Sequence, residues 1–335
     1  MMSFFSSQGT NMKVLICGGA GYIGSHMVRH LQEKGHETVV FDNLSTGHRE
    51  AVGDVPLEIG DLLDKRALAR VFVSHRFDAV MHFCARSLVG ESVQHPYAYY
   101  ENNVVGTLNL LQAMHSAGID RLVFSSTAAV FGQPTIELIN EDHPTNPINP
   151  YGASKLMAER ILADAAKAYG LRSVTLRYFN AAGADPSGEI GESHEPETHL
   201  IPNVLRASLG KGEALRVFGN DYPTRDGTCI RDYVHVNDLA DAHLRALDYM
   251  TDRNGAHAFN LGNGRGFTVL EVIQAARLVT GREIRFHVAE RRPGDPSTLV
   301  AASTRARAEL GWTPRYERIE DIIETAWRWQ RNARY

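Results

Sequence analysis

Short apolar runs alternate with amphipathic stretches along the chain from Lys13 onward. Residues 14–17, 38–42, 57–61, 79–84, 122–126 and 174–179 are compact apolar runs and read as strands. Residues 22–33, 65–73 and a long stretch near 100–116 carry apolar positions at helical spacing. A further helix is predicted from Pro150. Asn149 can cap it, proline suits its first position, Leu156, Met157, Ile161 and Leu162 keep helical spacing, and Gly170 ends it. Alternation of this kind closes through right-handed crossovers. The fold class is therefore α/β, a doubly wound parallel sheet with helices on both faces.

The pattern changes after Asn180. Residues 181–197 are rich in glycine, proline and charge, as in a loop that crosses between domains. Shorter mixed elements follow, among them a helix near 202–209, an amphipathic helix over 238–248 and a short strand over 258–261. The reading is a first domain over residues 12–180, which the segment near 234–262 is placed to rejoin, and a smaller mixed α/β domain over 181–335. Residues 1–11 have neither a basic start nor a long apolar core, so they read as a disordered leader or a cloning remnant.

With 335 residues the chain can support two domains, each with its own core. A net charge of −4 gives no electrostatic basis for a nucleic-acid or membrane-surface partner. No apolar run approaches the ~18 residues that span a bilayer. Cys17, Cys84 and Cys229 are far apart and odd in number, and the first two sit in apolar strand contexts. Free, buried thiols in a reducing cytoplasm are the expectation. None of the 15 histidines forms a helical pair around a glutamate, so no metal site is expected.

Candidate chemistry begins where the first strand runs into Gly18, Gly21 and Gly24. Glycines at that spacing between a strand and a helix allow a tight turn and let the backbone approach a pyrophosphate at the helix start. Such a turn makes the fold Rossmann-type. Eighteen residues past Gly24, Asp42 ends the second strand, where a carboxylate accepts from both adenosine ribose hydroxyls and repels a 2′-phosphate. NAD is therefore favoured over NADP. Asp61 could reach the adenine amino group or cap the helix that starts near Asp64.

Tyr151 and Lys155 stand one turn apart on the helix predicted from Pro150. A free phenol has a pKa near ~10, and a nearby ammonium and the helix dipole would both lower it. The pair suits proton abstraction from an alcohol. On spacing alone, a solvated surface pair is the alternative.

The glycine turn together with Tyr151 and Lys155 resembles the extended short-chain dehydrogenase/reductase family, and the match extends through the strand at Val123–Gly132. The resemblance implies a catalytic triad of Thr127, Tyr151 and Lys155. It also implies dinucleotide contacts from Tyr22, Ile23, Asn43, Leu62, Phe83, Ala85, Asn102, Ser125 and Tyr178. Within the family the chain is most similar to the nucleotide-sugar 4-epimerases, from about Lys13 to Gln330. The implied reaction inverts C4 of UDP-glucose or UDP-galactose through a transient 4-keto sugar, with tightly bound NAD. Related dehydratases carry Asp-Glu directly after the threonine. Here Ala128 and Ala129 stand there, which argues against water elimination. A dehydratase or reductase of the same family is the runner-up, and a non-catalytic NAD-binding protein the third reading.

Carried over residue by residue, Asn180, Arg231 and Arg292 should meet the diphosphate, Phe218 the uracil, beside Val217, and Asp295 a ribose hydroxyl. Three positions depart from the family pattern. Ser87 replaces a cofactor-contacting lysine. His199 and Leu200 stand where an asparagine often touches the sugar–phosphate. Leu299 replaces a tyrosine that closes the sugar pocket, leaving room for an N-acetyl group and extending the expected substrates to UDP-GlcNAc and UDP-GalNAc. The resemblance further implies a homodimer formed by the helices near 100–116 and from Pro150.

Overall fold

The structure, a computed structural model, describes residues 11–211, 214–292 and 294–335. Apart from Asn11, the leader read over residues 1–11 lies outside the described residues. The chain starts with β1 (Lys13–Cys17), α1 (Tyr22–Glu33), β2 (Glu37–Asp42), β3 (Leu57–Ile59), α2 (Lys65–Ser74) and β4 (Ala79–His82). It continues through α3 (Val89–Gln94), α4 (Pro96–Tyr100), α5 (Gly106–Ser116), β5 (Arg121–Thr127), β6 (Leu138–Ile139), α6 (Pro150–Tyr169) and β7 (Arg172–Tyr178). Next come β8 (Asn180–Ala182), α7 (Leu200–Ser208), β9 (Leu215–Phe218), β10 (Ile230–His235), α8 (Val236–Asp252) and β11 (Ala256–Leu261). The remainder forms β12 (Gly266–Thr268), α9 (Val269–Thr280), β13 (Phe286–Ala289), β14 (Thr298–Ala301), α10 (Thr304–Glu309) and α11 (Ile319–Arg331).

Seven strands form one parallel sheet in the order β11-β7-β5-β4-β1-β2-β3. Apolar residues on both sides explain why it is parallel: it is covered twice. Val14, Ile16, Val40 and Met81 pack with Met27 and Leu31 of α1 and Leu239 and Leu247 of α8. Leu15, Phe41, Val80 and Phe124 pack with Leu68, Leu110, Met114 and Leu162 on the other face. Strand order reverses between β1 and β4, so the loops leaving their carboxyl ends open a crevice.

The second body is built on the sheet β12-β10-β14-β6, with β8 also paired to β10, and on the small pair β13-β9. Its core gathers Ile201, Val204, Val272, Ile273, Ile322 and Ile323 from α7, α9 and α11. Buried Asp232 of β10 ties the loop after β11 to the end of β14: its carboxylate accepts from the amides of Asn263 (2.7 Å), Gly264 (3.0 Å) and Ala301 (3.0 Å). Burial pushes its pKa up to about 6, against the pull of those bonds.

One element departs from the sequence reading. The stretch near 100–116 is not one helix, because a π-helical turn at Glu101–Val105 separates α4 from α5. The wider turn shifts the register and leaves Asn103 buried. Cys17 and Cys229 are buried, whereas Cys84 is half-buried, and all three are free.

Candidate active site

The glycine turn follows β1 at the sheet's crevice. Gly18 has φ +82°, and a Cβ there would lie 2.7 Å from the Phe83 and Cys84 backbone. A Cβ at Gly24 would lie 2.1 Å from the Gly18 carbonyl oxygen, so both glycines are required by close packing. Gly21 differs: a Cβ there would meet only the Gly18 oxygen, at 3.5 Å. Its bare backbone keeps open the space over the start of α1, which has no side-chain cap. The first amides of α1, from Tyr22 and Ile23 onward, are thus free to meet an anion.

Asp42 sits 6% exposed at the end of β2. Its Oδ2 accepts from the Ala20 amide (2.9 Å) and its Oδ1 from the Leu44 amide (2.8 Å), which leaves a lone pair on each oxygen for a diol. Asn43 donates to Asp61 Oδ2 at 2.7 Å. Asp61 does not cap α2; Asp64 does, accepting from the amides of Arg66 and Ala67. Leu62 is buried against Gly106. The glycine cradle, the uncapped helix and the paired acceptors of Asp42 fit a dinucleotide.

Phe83 and Ala85 are half-buried in the turn after β4. Asn102 donates to Asn103 at 2.9 Å, and it is Asn103 that ties this turn to α6. Its side chain accepts from the Arg86 amide (2.9 Å) and donates to the Arg86 carbonyl (3.0 Å) and to Ser154 Oγ (2.9 Å). Adjacent asparagines gave no means of telling which one turns inward, because the π-turn decides it.

Tyr151 is brought to Thr127 by a close approach of backbone. Asn149 caps α6 by accepting the Gly152 amide at 2.8 Å, and a Cβ on Gly152 would lie 2.4 Å from the Ala129 oxygen. Thr127 ends β5 and accepts the Ala129 amide at 3.1 Å, which fixes the turn. The rings of Tyr99 and Tyr151 meet at a steep angle, their centres 6.5 Å apart. Tyr178 lies at the end of the neighbouring strand β7, paired in register with Thr127.

Burial dominates the electrostatics of the pair. Burial raises the Tyr151 phenol above its ordinary value, while the Thr127 hydroxyl beside it opposes that rise. Lys155 is 2% exposed and donates to the Ser125 carbonyl at 2.7 Å, over the Phe124 ring. Burial drops its pKa to about 7. Ser125 Oγ faces His243 Nε2 at 3.5 Å.

The expected nucleotide-sugar contacts do not all meet at one point. Arg231 on β10 pairs with Asp295 at 2.5 Å, and the Arg292 guanidinium stacks on Phe218, 4.0 Å from its ring centre. These four are brought together, but as partners of one another. The Val217 side chain is buried in the second core, 1% exposed, which leaves only its backbone for contact. Leu200 packs on the same core. Asn180 pairs with Tyr233 where β8 meets β10. Leu299, in register with Arg231, packs with Val130, Phe131, Ile139, Leu156 and Phe179, directly behind the Thr127 turn.

His199 precedes α7, and its ring hydrogen-bonds Glu192. Burial disfavours its charge, but Glu192 and Glu197 hold its pKa up to about 9. The sequence reading expected no metal ligands because it required helical spacing; the structure gathers Glu192, His194, Glu197 and His199 in one loop.

A dinucleotide cradle and a helix carrying a half-buried tyrosine and a buried lysine on one doubly wound sheet define a class of enzyme. The family model for the NAD dependent epimerase/dehydratase family matches residues 14–262, and the chain belongs to that family. It is 51% identical over 320 residues to the UDP-glucose 4-epimerase of Halalkalibacterium halodurans, covering 96% of each chain. It is 53% identical over 319 residues to that of Rhizobium meliloti, covering 95% of this chain and 97% of the relative. The crystal structure of UDP-glucose 4-epimerase from Brucella ovis in complex with NAD matches with a TM-score of 0.92 and 48% identity, over 94% of this chain and 97% of that one.

Proposed function

We propose that this chain interconverts UDP-glucose and UDP-galactose by inversion at C4, using NAD. The observation that carries the reading is the meeting of Thr127, Tyr151 and Lys155 beside the glycine cradle, enforced by the contact between Gly152 and Ala129. Tyr151 is the group to take and return the 4-hydroxyl proton, and Thr127 hydrogen-bonds the same oxygen. NAD, when bound, supplies a reversible hydride acceptor. Lys155 is held one helical turn from Tyr151, where its ammonium can reach the ribose of the dinucleotide. Ala128 and Ala129 offer no acid or base to expel water, so the sugar leaves with its oxygens intact.

Arg231 and Arg292 bind the diphosphate by exchanging Asp295 and Phe218 for phosphate oxygens, and Phe218 then packs on the uracil. Leu299 leaves space for an N-acetyl group, which extends turnover to UDP-GlcNAc and UDP-GalNAc. The working unit is a homodimer through the four-helix contact of α5 and α6 with their copies; exposed Val105, Leu108 and Met157 support it. Among the described residues no helix is long and apolar enough to cross a membrane. Three unpaired thiols support a cytoplasmic setting.

The test is incubation of purified protein with UDP-galactose, without added cofactor or reductant, and separation of the C4 epimers. Turnover is expected for the native chain. Tyr151→Phe should lose about 10²–10⁴-fold in kcat while still retaining NAD. Undiminished turnover in that variant would remove Tyr151 as the base.

A further inference from the structure

We propose that Glu192, His194, Glu197 and His199 form a structural site for one divalent transition metal of the zinc class. All four lie in the loop between β8 and α7, remote in sequence from the glycine turn. One donor atom from each falls within 4.8 Å of the others. His194 Nδ1 lies 3.3 Å from Glu192 Oε1 and 3.9 Å from Glu197 Oε2. His199 Nδ1 lies 3.8 Å from Glu197 Oε1 and hydrogen-bonds Glu192 Oε1. Tetrahedral zinc with bonds of about 2.0–2.1 Å places its donors about 3.4 Å apart, so small side-chain shifts complete the set.

A second observation points to a ligand. The Glu197 side chain is 1% exposed, and its Oε2 is buried with no hydrogen-bond partner among the described residues. Its other oxygen accepts the amides of Thr198 and His199, each at 2.8 Å, which fixes the carboxylate with the orphaned oxygen turned toward His194. A buried, unpartnered carboxylate oxygen is costly. Glu192, 5% exposed, adds a second carboxylate at the same point. One divalent cation with two neutral imidazoles neutralises both, and the N2O2 donor set suits zinc.

Four protein donors leave no open coordination position, so the site is structural. Its surroundings show what it would hold. Trp329 donates to the Glu192 carbonyl at 2.9 Å, the Tyr22 ring meets His194 edge-on at 6.3 Å, and His199 sits at the start of α7. The metal joins the C-terminal helix, the start of α1 and the start of α7 at one point.

The test uses the full chain, stripped with a chelator and titrated with Zn2+, with metal content, calorimetry and thermal unfolding as readouts. One Zn2+ per chain and a higher Tm on reloading are expected. Co2+ in its place should show the intense visible bands of tetrahedral coordination. His194→Ala and the isosteric Glu197→Gln should each weaken uptake by more than the roughly 10–100-fold typical of outer-sphere changes. His75→Ala, at a separate His–Glu pair, should leave uptake unchanged. Absence of stoichiometric uptake, uptake that survives both ligand substitutions, or a weak octahedral Co2+ spectrum would overturn the proposal.

Discussion

Glu159 of α6 and Arg177 of β7 form a buried, two-pronged ion pair: Arg177 Nη2 lies 2.6 Å from Oε2 and Nε 3.1 Å from Oε1. Ser126 of β5 donates to the same Oε1 at 2.5 Å. The helix that carries Tyr151 and Lys155 is thereby bound to two strands, and those strands end in Thr127 and Tyr178. Removing one partner leaves an uncompensated buried charge. Glu159→Ala should lower stability by about 3–5 kcal/mol in denaturant unfolding. An unchanged midpoint would show that the pair does not hold α6.

Gly152→Ala tests the backbone approach that places Tyr151. The added Cβ would stand 2.4 Å from the Ala129 oxygen, and a backbone atom cannot yield as a flexible side chain does. Displacement of the α6 start by about 1 Å should reduce kcat on the order of 10²-fold, with a smaller effect on KM. Kinetics on UDP-galactose read both; equal kcat would show the approach to be immaterial.

Leu299→Tyr tests the sugar-pocket reading. A bulkier ring behind the Thr127 turn should suppress turnover of UDP-GlcNAc while sparing UDP-glucose. Parallel rate measurements on both sugars check it, and equal loss on both would remove Leu299 as the determinant.

Acid should weaken the fold through histidines buried uncharged. Burial lowers His82 and His235 to about 3 and His26 and His243 to about 4. Unfolded histidines take up protons near ~6.5, so between that pH and about 4 the unfolded chain holds more protons. Stability therefore falls as pH falls through this window, by up to about 1.4 kcal/mol per pH unit for each histidine. Asp232, held at about 6, works the other way, because its native proton is lost only as pH rises through that value. His82→Asn should flatten the acid limb of a stability–pH curve; an unaltered slope would refute its share.

The sequence showed best what depends on short-range spacing. Gly18, Gly21 and Gly24, the helix from Pro150 to Gly170 and the strands around them follow from periodicity and punctuation. What it hid depends on distant pairing. Nothing local announces that Lys155 turns to the Ser125 carbonyl, that Asp232 gathers three amides from one loop and the end of β14, or that Arg231 meets Asp295. Asn103 rather than Asn102 faces inward because of one wide turn that no propensity reveals. The Glu192–His199 cluster escaped because its donors share a loop, where helical spacing is the wrong template.

The strand order of the main sheet bears on how the protein is made. Leu261 pairs with Tyr178, so β7 keeps an open flank until residues 181–261 have followed it out of the ribosome. A nascent chain halted near residue 200 would expose that flank to neighbouring chains. Truncations ending there should therefore aggregate, and the sheet should reach its native resistance to proteolysis only in chains that extend past β11.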